Sequence, residues 1–279
     1  MSSLRLFALS DDKMAEVAKR DFALESEMQK VVEANLDLLF GLQFVRSEMT
    51  IQNLRMDTLA FDTESKAFVI IEFKRGTNFS VVDQGMAYLS AMLGNKAEFV
   101  LEYQERLGQP LKKADVDWSQ SRVIFVAPSF TNYQTKATNF RDLPIALYEV
   151  RRFANDSLLM RRLGDEGTES SPPAVPIDKK TQGVLKEVEV MDLEKLIPES
   201  WTVTREVASE LVQQLQNVWS DVEIAYKRRY FSYRLPGGTR WYLHPQKKGI
   251  AVYFRLPPEK LPPSTLEFQQ AGDQWKAVL

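Results

Sequence analysis

The stretch Arg55 to Lys74, RMDTLAFDTESKAFVIIEFK, limits the fold more than any other part of this chain. Leu59, Phe61 and the run Phe68-Val69-Ile70-Ile71 are apolar, and the polar segment Asp62 to Lys66 separates them, which predicts two short strands joined by a hairpin. Three ionisable residues, Asp57, Glu72 and Lys74, fall at the strand ends. Glu72 and Lys74 are two residues apart, so a strand presents both on one side. Asp57 lies on the neighbouring strand and can meet them across the ladder. Such a set suits a hard divalent cation of the Mg2+ (or Mn2+) type. Asp57, Glu72 and the Phe73 carbonyl are candidate oxygen ligands, and Lys74 is placed to orient a water or steady charge on phosphorus. The plain alternative is an exposed Glu–Lys pair at a strand end, worth little energetically.

Composition narrows the choice of chemistry. The 279 residues are 44% hydrophobic and 27% charged, ordinary for a globular chain and long enough for two modest domains. A net charge of −2 gives no global attraction to nucleic acid or anionic lipid, so any such attraction is local. The absence of cysteine removes disulfides, thiolate zinc sites and thiol nucleophiles, and fits a reducing compartment. One histidine, His244, excludes a histidine-rich metal cluster and is expected to be a solvent-facing strand residue. No run nears the roughly 20 apolar residues of a membrane span, and the N-terminus does not read as a signal peptide. The expected location is therefore cytoplasmic, with no membrane partner.

Along the chain, Leu4 to Leu9 suggests a short edge strand and Asp21 to Leu42 a helix stopped by Gly41. Glu25, Gln29 and Glu33 form a row along that helix, able to bring one acid toward the strands that follow. Phe44 to Gln52 predicts a strand, Val81 to Leu93 a helix with Gln84 and Tyr88 one turn apart, and Arg122 to Ala127 a buried strand. Phe99 to Tyr103 fits either a strand or a helix end, Thr131 to Phe140 a helix, and Pro144 to Arg151 a strand. This order describes an α/β domain with a mixed central sheet over residues 1–163. The Gly-, Ser- and Pro-rich segment after it predicts a flexible linker over 164–184. Residues 185–279 then read as a small α+β domain with an antiparallel sheet: a helical region interrupted near Trp201, with Thr204 as a helix cap, then four strands.

Helix with Glu, strand with Asp, apolar strand ending in Glu-x-Lys, then helix with Gln is an order that resembles the PD-(D/E)xK nuclease superfamily. That superfamily includes restriction endonucleases, Holliday-junction resolvases and NucS-type DNA endonucleases, and the match spans Asp21 to Leu93. Over nearly the whole length, MQKVVEANLDLLFG, RMDTLAFD, FVIIEFKRGTNFSVVDQGMAYLSAM, SDVEIAYKRRYFSYR and GIAVYFRL resemble a prokaryotic family that is itself uncharacterised. Its members join a nuclease-like domain to a C-terminal domain of unknown function, and some carry the label "predicted transport protein". The resemblance implies a restriction-endonuclease-like fold and metal-dependent hydrolysis of DNA. It assigns Asp57, Glu72 and Lys74 to the core triad and Gln84 to the following helix, and leaves the helix acid open between Glu25 and Glu33, with a slight lean to Glu25. Met56 stands where the superfamily name has proline, which costs motif specificity.

A second feature lies near the C-terminus. Between Glu223 and Glu259 no acidic residue occurs, while Lys227, Arg228, Arg229, Arg240 and others alternate with Tyr230, Trp241 and further aromatics. Cations for phosphates and rings for bases suit nucleic acid, and a half-buried sheet with a wet lysine face reads equally well. Arg55 and Arg75 flank the carboxylate site and are candidate phosphate contacts. Two functions from different classes stay open at this level. One is a metal-dependent DNA endonuclease, dimeric by analogy with folds that pair to cut both strands. The other is an inactive nuclease-fold module that binds nucleic acid or a protein, with a transport-accessory role a weaker third.

Overall fold

The computed structural model describes residues 4–77, 79–138, 143–163, 179–218, 222–234, 240–254, 269–271 and 274–278. The chain divides into two units, Met1–Val190 and Met191–Leu279. In the first, the elements run β1 (Leu6–Ser10), β2 (Lys13–Val17), β3 (Lys19–Arg20), α1 (Glu25–Glu33), α2 (Leu36–Phe40), β4 (Gln43–Ile51), β5 (Leu54–Asp62) and β6 (Ala67–Phe73). There follow α3 (Val81–Gly94), α4 (Lys96–Leu107), β7 (Arg122–Ala127), α5 (Asn132–Thr138), β8 (Ile145–Phe153), β9 (Leu158–Leu163) and α6 (Lys179–Glu187).

The main sheet has the order β3-β8-β7-β6-β5-β4, with β9 also paired to β8. β4, β5 and β6 are antiparallel neighbours, whereas β6, β7 and β8 run parallel. The sheet is therefore mixed, as the order of sequence patterns predicts. β6 is buried along all seven residues because helices cover both its faces. Val69, Ile71 and Phe73 pack with Met28, Val32 and Leu36 of α1 and α2. Phe68 and Ile70 pack with Leu89 and Met92 of α3 and Phe99 of α4. Among the described residues no helix is long and apolar enough to cross a membrane.

Several local readings need adjusting. The expected 21–42 helix is two helices, because Asn35 leaves helical geometry and its side-chain amide donates to the Val31 carbonyl, closing α1. Gly41 takes the left-handed conformation (φ 65°) that ends α2, which glycine adopts without Cβ strain. Phe99 to Tyr103 belongs to α4. β1 pairs with β2 in a separate hairpin, and it is the two-residue β3 that joins the main sheet, pairing with the end of β8. Most of the expected 164–184 linker lies outside the described residues, but 179–187 is a helix whose Val184, with Val188 just beyond it, joins the α3–α4 core. The first unit therefore reaches Val190, past the boundary drawn from composition.

The second unit runs α7 (Leu193–Leu196), α8 (Thr202–Val218), β10 (Glu223–Tyr226), β11 (Phe231–Arg234), β12 (Arg240–Gln246), β13 (Gly249–Phe254), β14 (Gln269–Ala271) and β15 (Gln274–Val278). Its sheet is antiparallel throughout, in the order β10-β11-β12-β13-β15-β14. One face packs against α7 and α8 through Phe231, Leu243, Ile250, Val252 and Phe254. Thr204 lies inside α8 and does not cap it; its buried hydroxyl donates to the Gln246 carbonyl at 2.7 Å, tying helix to sheet.

Candidate functional site

The β5–β6 ladder runs from Asp62↔Ala67 to Thr58↔Ile71. One step further, Asp57 and Glu72 stand opposite each other, but a side chain replaces the backbone pairing. The Phe73 N–H donates to Asp57 Oδ2 at 2.8 Å, while the next amide, Lys74 N–H, turns the other way to the Val126 carbonyl of β7. A strand residue directs its N–H and C=O to the same side, so the Phe73 carbonyl also faces β5 past the end of its ladder. The β4 residue across from Asp57 is Glu48, whose φ of 56° interrupts pairing between Ser47↔Thr58 and Met49↔Met56. Backbone pairing therefore lapses on both sides of Asp57.

Glu72 is 3% exposed, and its two oxygens differ. Oε1 accepts from Lys74 Nζ at 2.5 Å and from Gln84 Nε2 at 2.8 Å. Oε2 is buried with no hydrogen-bond partner. Gln84 spends its second hydrogen on the Tyr88 hydroxyl at 2.8 Å, and Tyr88 donates to the Arg55 carbonyl at 2.8 Å. The helical spacing of Gln84 and Tyr88 thus becomes a relay from strand β5 through helix α3 to Glu72. Gly85 lets α3 lie close enough for this: a Cβ there would stand 2.7 Å from the Ile145 side chain on β8.

The electrostatic cost of the site falls on Asp57. Burial, then the negative field of Glu72, push its carboxyl from 3.8 up to about 6; the Phe73 N–H and Lys74 oppose the rise and Glu25 adds to it. Burial and Glu72 likewise raise the Tyr88 phenol well above its ordinary value, so it stays a neutral donor.

The two helix acids part company here. Glu25, at the first turn of α1, accepts from the Arg75 N–H at 3.1 Å and contributes to the field on Asp57. Glu33 points its Oε1 at Ser47 (2.9 Å), Thr58 (2.5 Å) and Gln29 (3.0 Å), a structural cluster on the other face of β5. Arg75 donates to the Ala23 carbonyl and Arg55 pairs with Glu48, so both flanking arginines are tied locally.

Two supporting residues were not singled out from sequence. Gln29 is buried and donates to the Asp57 backbone carbonyl at 2.9 Å, and its place in the Glu25–Glu33 row was the available signal. Gln134 of α5, 3% exposed, donates to the carbonyls of Thr77 (3.1 Å) and Phe79 (2.9 Å) and so pins the segment after Lys74. Phe79 lies under the Lys74 ammonium, 5.9 Å from the ring centre. Nothing in the sequence near Gln134 marks it.

In the second unit the named residues separate. Trp241 stacks on Phe254 and Tyr233 within the core, and Lys227 is buried, so neither lies on an open surface. Arg228 and Arg229 are exposed, and Tyr230 is half-buried on the opposite side of the sheet. The Arg240 side chain lies outside the described residues.

Among the described residues no group of three or more His, Cys, Asp or Glu side chains stands ready to hold a metal ion. The donors on hand are two carboxylates and one backbone carbonyl, and the unpartnered buried Glu72 Oε2 is the kind of oxygen a hard cation takes up. The residues fit Mg2+ or Mn2+ with water completing the shell.

No family model matches the chain. Among solved structures, a repair endonuclease from Pyrococcus abyssi aligns at 20% identity and TM-score 0.27, covering 46% of this chain and 48% of its own. A complex of EndoMS with double-stranded DNA aligns at 18% identity and TM-score 0.27, covering 52% and 64%. SfsA from Pyrococcus furiosus with Ca2+ gives 11% identity and TM-score 0.25, covering 54% and 77%. At these scores the likenesses say nothing of mechanism. An uncharacterised protein of Haemophilus influenzae is 39% identical over 255 residues, 91% of this chain and 84% of its own length. The chain belongs to the same family as that Haemophilus influenzae protein.

Proposed function

We propose that this chain is a Mg2+- or Mn2+-dependent nuclease that hydrolyses phosphodiester bonds, with DNA as the substrate expected from the superfamily resemblance. The observation that carries the reading is the buried, unpartnered Glu72 Oε2 beside an Asp57 whose carboxyl is raised by burial and then by its neighbour's charge. Two acids are held together at a cost in folding energy, and a binding site gives that cost a use.

Asp57, Glu72 and the Phe73 carbonyl would hold the ion. When bound, it supplies Lewis-acid stabilisation of charge building on a phosphoryl oxygen. Lys74 holds its ammonium against Glu72 Oε1, which leaves further N–H groups to position a water or neutralise a phosphate oxygen. Gln84 fixes the Glu72 rotamer and Tyr88 fixes Gln84, so Oε2 keeps its direction when substrate arrives. Glu25 adds negative charge from the α1 side and suits an outer contact to the same ion. Arg55 and Arg75, at the rim, are candidate phosphate contacts once their local partners exchange.

The test is cleavage of labelled single-stranded, duplex and branched DNA and of RNA, with Mg2+, with Mn2+ and with EDTA. Cutting should require metal and fall at least about a hundredfold in Lys74→Ala and in Glu72→Gln. Cutting that survives EDTA or both substitutions would sink the proposal. Retention of a substrate in a gel shift without any cutting would mark a binding module instead.

A further inference from the structure

The face of the second sheet turned away from α7 and α8 carries a connected row of rings. Tyr242 meets Tyr230 edge-on at 5.8 Å between centroids, Tyr230 stacks on His244 at 4.8 Å, and His244 meets Tyr253 at 4.9 Å. Lys276 continues the row, its ammonium 5.9 Å from the Tyr253 ring centre. The register explains the alignment: Tyr242 pairs with Tyr253 and Tyr253 with Lys276, and cross-strand partners share a face. Among the described residues the apolar core of this unit lies on the other side, where Phe231, Leu243, Val252 and Phe254 meet α8, and the row stands outside it. Its four rings are half-buried, and Ser232 and Ala251, the cross-strand partners of Tyr242 and His244, are small and buried.

The charge along the strands and turns that carry Tyr230, Tyr242, His244 and Tyr253 is of one sign. Every charged residue from Lys227 to Phe254 is Lys or Arg, in a chain whose net charge is −2. Arg228 and Arg229, in the turn that leads into Tyr230, are exposed, as are Lys247 and Lys248 in the turn that follows His244. Burial, and then the charge of Lys276, hold His244 below its ordinary value, so at neutral pH it offers an uncharged ring. A row of rings edged by cations complements a polyanion that carries unpaired planar groups. Duplex DNA hides its base faces, whereas a single strand presents them.

We propose that the outer sheet face of the second unit, through Tyr230, Tyr242, His244, Tyr253 and Lys276, binds single-stranded nucleic acid by stacking bases on the ring row. This shares with the function proposed above only the premise that the ligand is nucleic acid, since its residues belong to a different unit from the carboxylates. It also replaces Trp241 and Lys227, which the sequence suggested, with residues that sequence pattern alone did not separate from the core.

The experiment uses the full chain in EDTA, so that nothing is cut, and labelled oligonucleotides of one sequence as single-stranded DNA, single-stranded RNA and duplex DNA. Either single strand should bind more tightly than the duplex, and the tighter of the two names the sugar recognised. Tyr242→Leu with Tyr253→Leu should lower that affinity about a hundredfold, at about tenfold per ring, while the Phe pair stays within about threefold of the original. Lys276→Gln should reduce the salt slope by about 0.7 and leave stacking intact. Unchanged melting of the Leu pair checks that the core face is undisturbed. Equal binding by the Leu pair, preference for duplex, or capture of neither strand would each overturn the proposal. Cleavage with Mg2+ is read separately. A chain that cuts but does not use the rings refutes this inference alone, and one that binds through the rings but never cuts refutes only the catalytic reading.

Discussion

Replacing Asp57 with asparagine removes one of two adjoining carboxylates and keeps an oxygen for the Phe73 N–H. Asp57 titrates near 6 in the fold against 3.8 in a free chain, a gap of about 2 pKa units, or about 3 kcal/mol at 1.36 kcal/mol per unit. Asp57 is only half-buried, so solvent screening trims this to about 2 kcal/mol. The native state holds this proton more tightly than the unfolded state. The stability it contributes is therefore present below about pH 4 and lost as pH rises through about 6. Above that, in EDTA, ionised Asp57 beside Glu72 is a burden that the asparagine variant lacks. At pH 8 without metal, Asp57→Asn should raise the melting temperature of the first unit by about 4–8 °C, with the gap closing as pH falls toward 4. Millimolar Mg2+ should stabilise the original chain and leave the variant unmoved. Calorimetry between pH 4.5 and 8, with EDTA or Mg2+, reads both effects. Parallel pH slopes for the two proteins in EDTA would show that burial and Glu72 do not load Asp57 as argued, and the site would lose its electrostatic rationale.

Other substitutions separate the parts of the site. Glu33→Ala strips acceptors from Thr58, Ser47 and Gln29 and should cost about 2–3 kcal/mol in urea unfolding without altering the Mg2+-induced shift. Glu25→Gln should cost little stability but lower the pH at which the metal-free chain loses stability, since Glu25 adds to the field on Asp57. Gln134→Ala leaves the Thr77 and Phe79 carbonyls without their donor, and hydrogen exchange should quicken in the segment after Lys74, with a loss of about 1–3 kcal/mol. Gly85→Ala drives a methyl to 2.7 Å from Ile145 Cδ1 and should cost about 1–3 kcal/mol, and adding Ile145→Val should recover most of it in a double-mutant cycle.

Sequence disclosed the centre of the first unit because its signals there are local. A hydrophobic run between turn residues predicts β6, and alternation across a hairpin places Asp57 opposite Glu72 whatever the rest of the chain does. Gln84 and Tyr88 were visible as one helical turn, though not as a relay, because the partner at its far end is a backbone carbonyl. The choice between Glu25 and Glu33 was not legible. Both lie on one helix row, and only the direction of approach of α1 puts Glu33 over Ser47 and Thr58 and Glu25 beside Arg75. Gln134 was invisible for a related reason: its role is set by partners 55 and 57 positions earlier in the chain. In the second unit, alternation told that aromatics fill both faces of β12 and β13 but not which face meets α8, so Trp241 and Tyr242 could not be told apart.

The raised carboxyl of Asp57 and the unpartnered oxygen of Glu72 are one fact seen from two atoms. The groups that act on Asp57 are Glu72, Lys74 and Glu25; with Asp57 itself this makes three carboxylates and one ammonium, or −2 when all are ionised. Lys74 is already bound to Glu72 Oε1, so its charge does not reach Oε2 as a hydrogen bond. Protonating Asp57 relieves half of that excess, and this adds to burial, the larger cause, in raising its affinity for a proton. A divalent cation relieves all of it, and does so at neutral pH, where a proton near pH 6 is mostly gone. If the excess charge were only a structural accident, any cation at the rim would serve, and Arg55 or Arg75 could have turned inward. Instead Arg55 pairs with Glu48 and Arg75 donates to the Ala23 carbonyl, away from the carboxylates. The fold turns both arginines away from the buried Glu72 oxygen that lacks a partner, as the cation site proposed above requires.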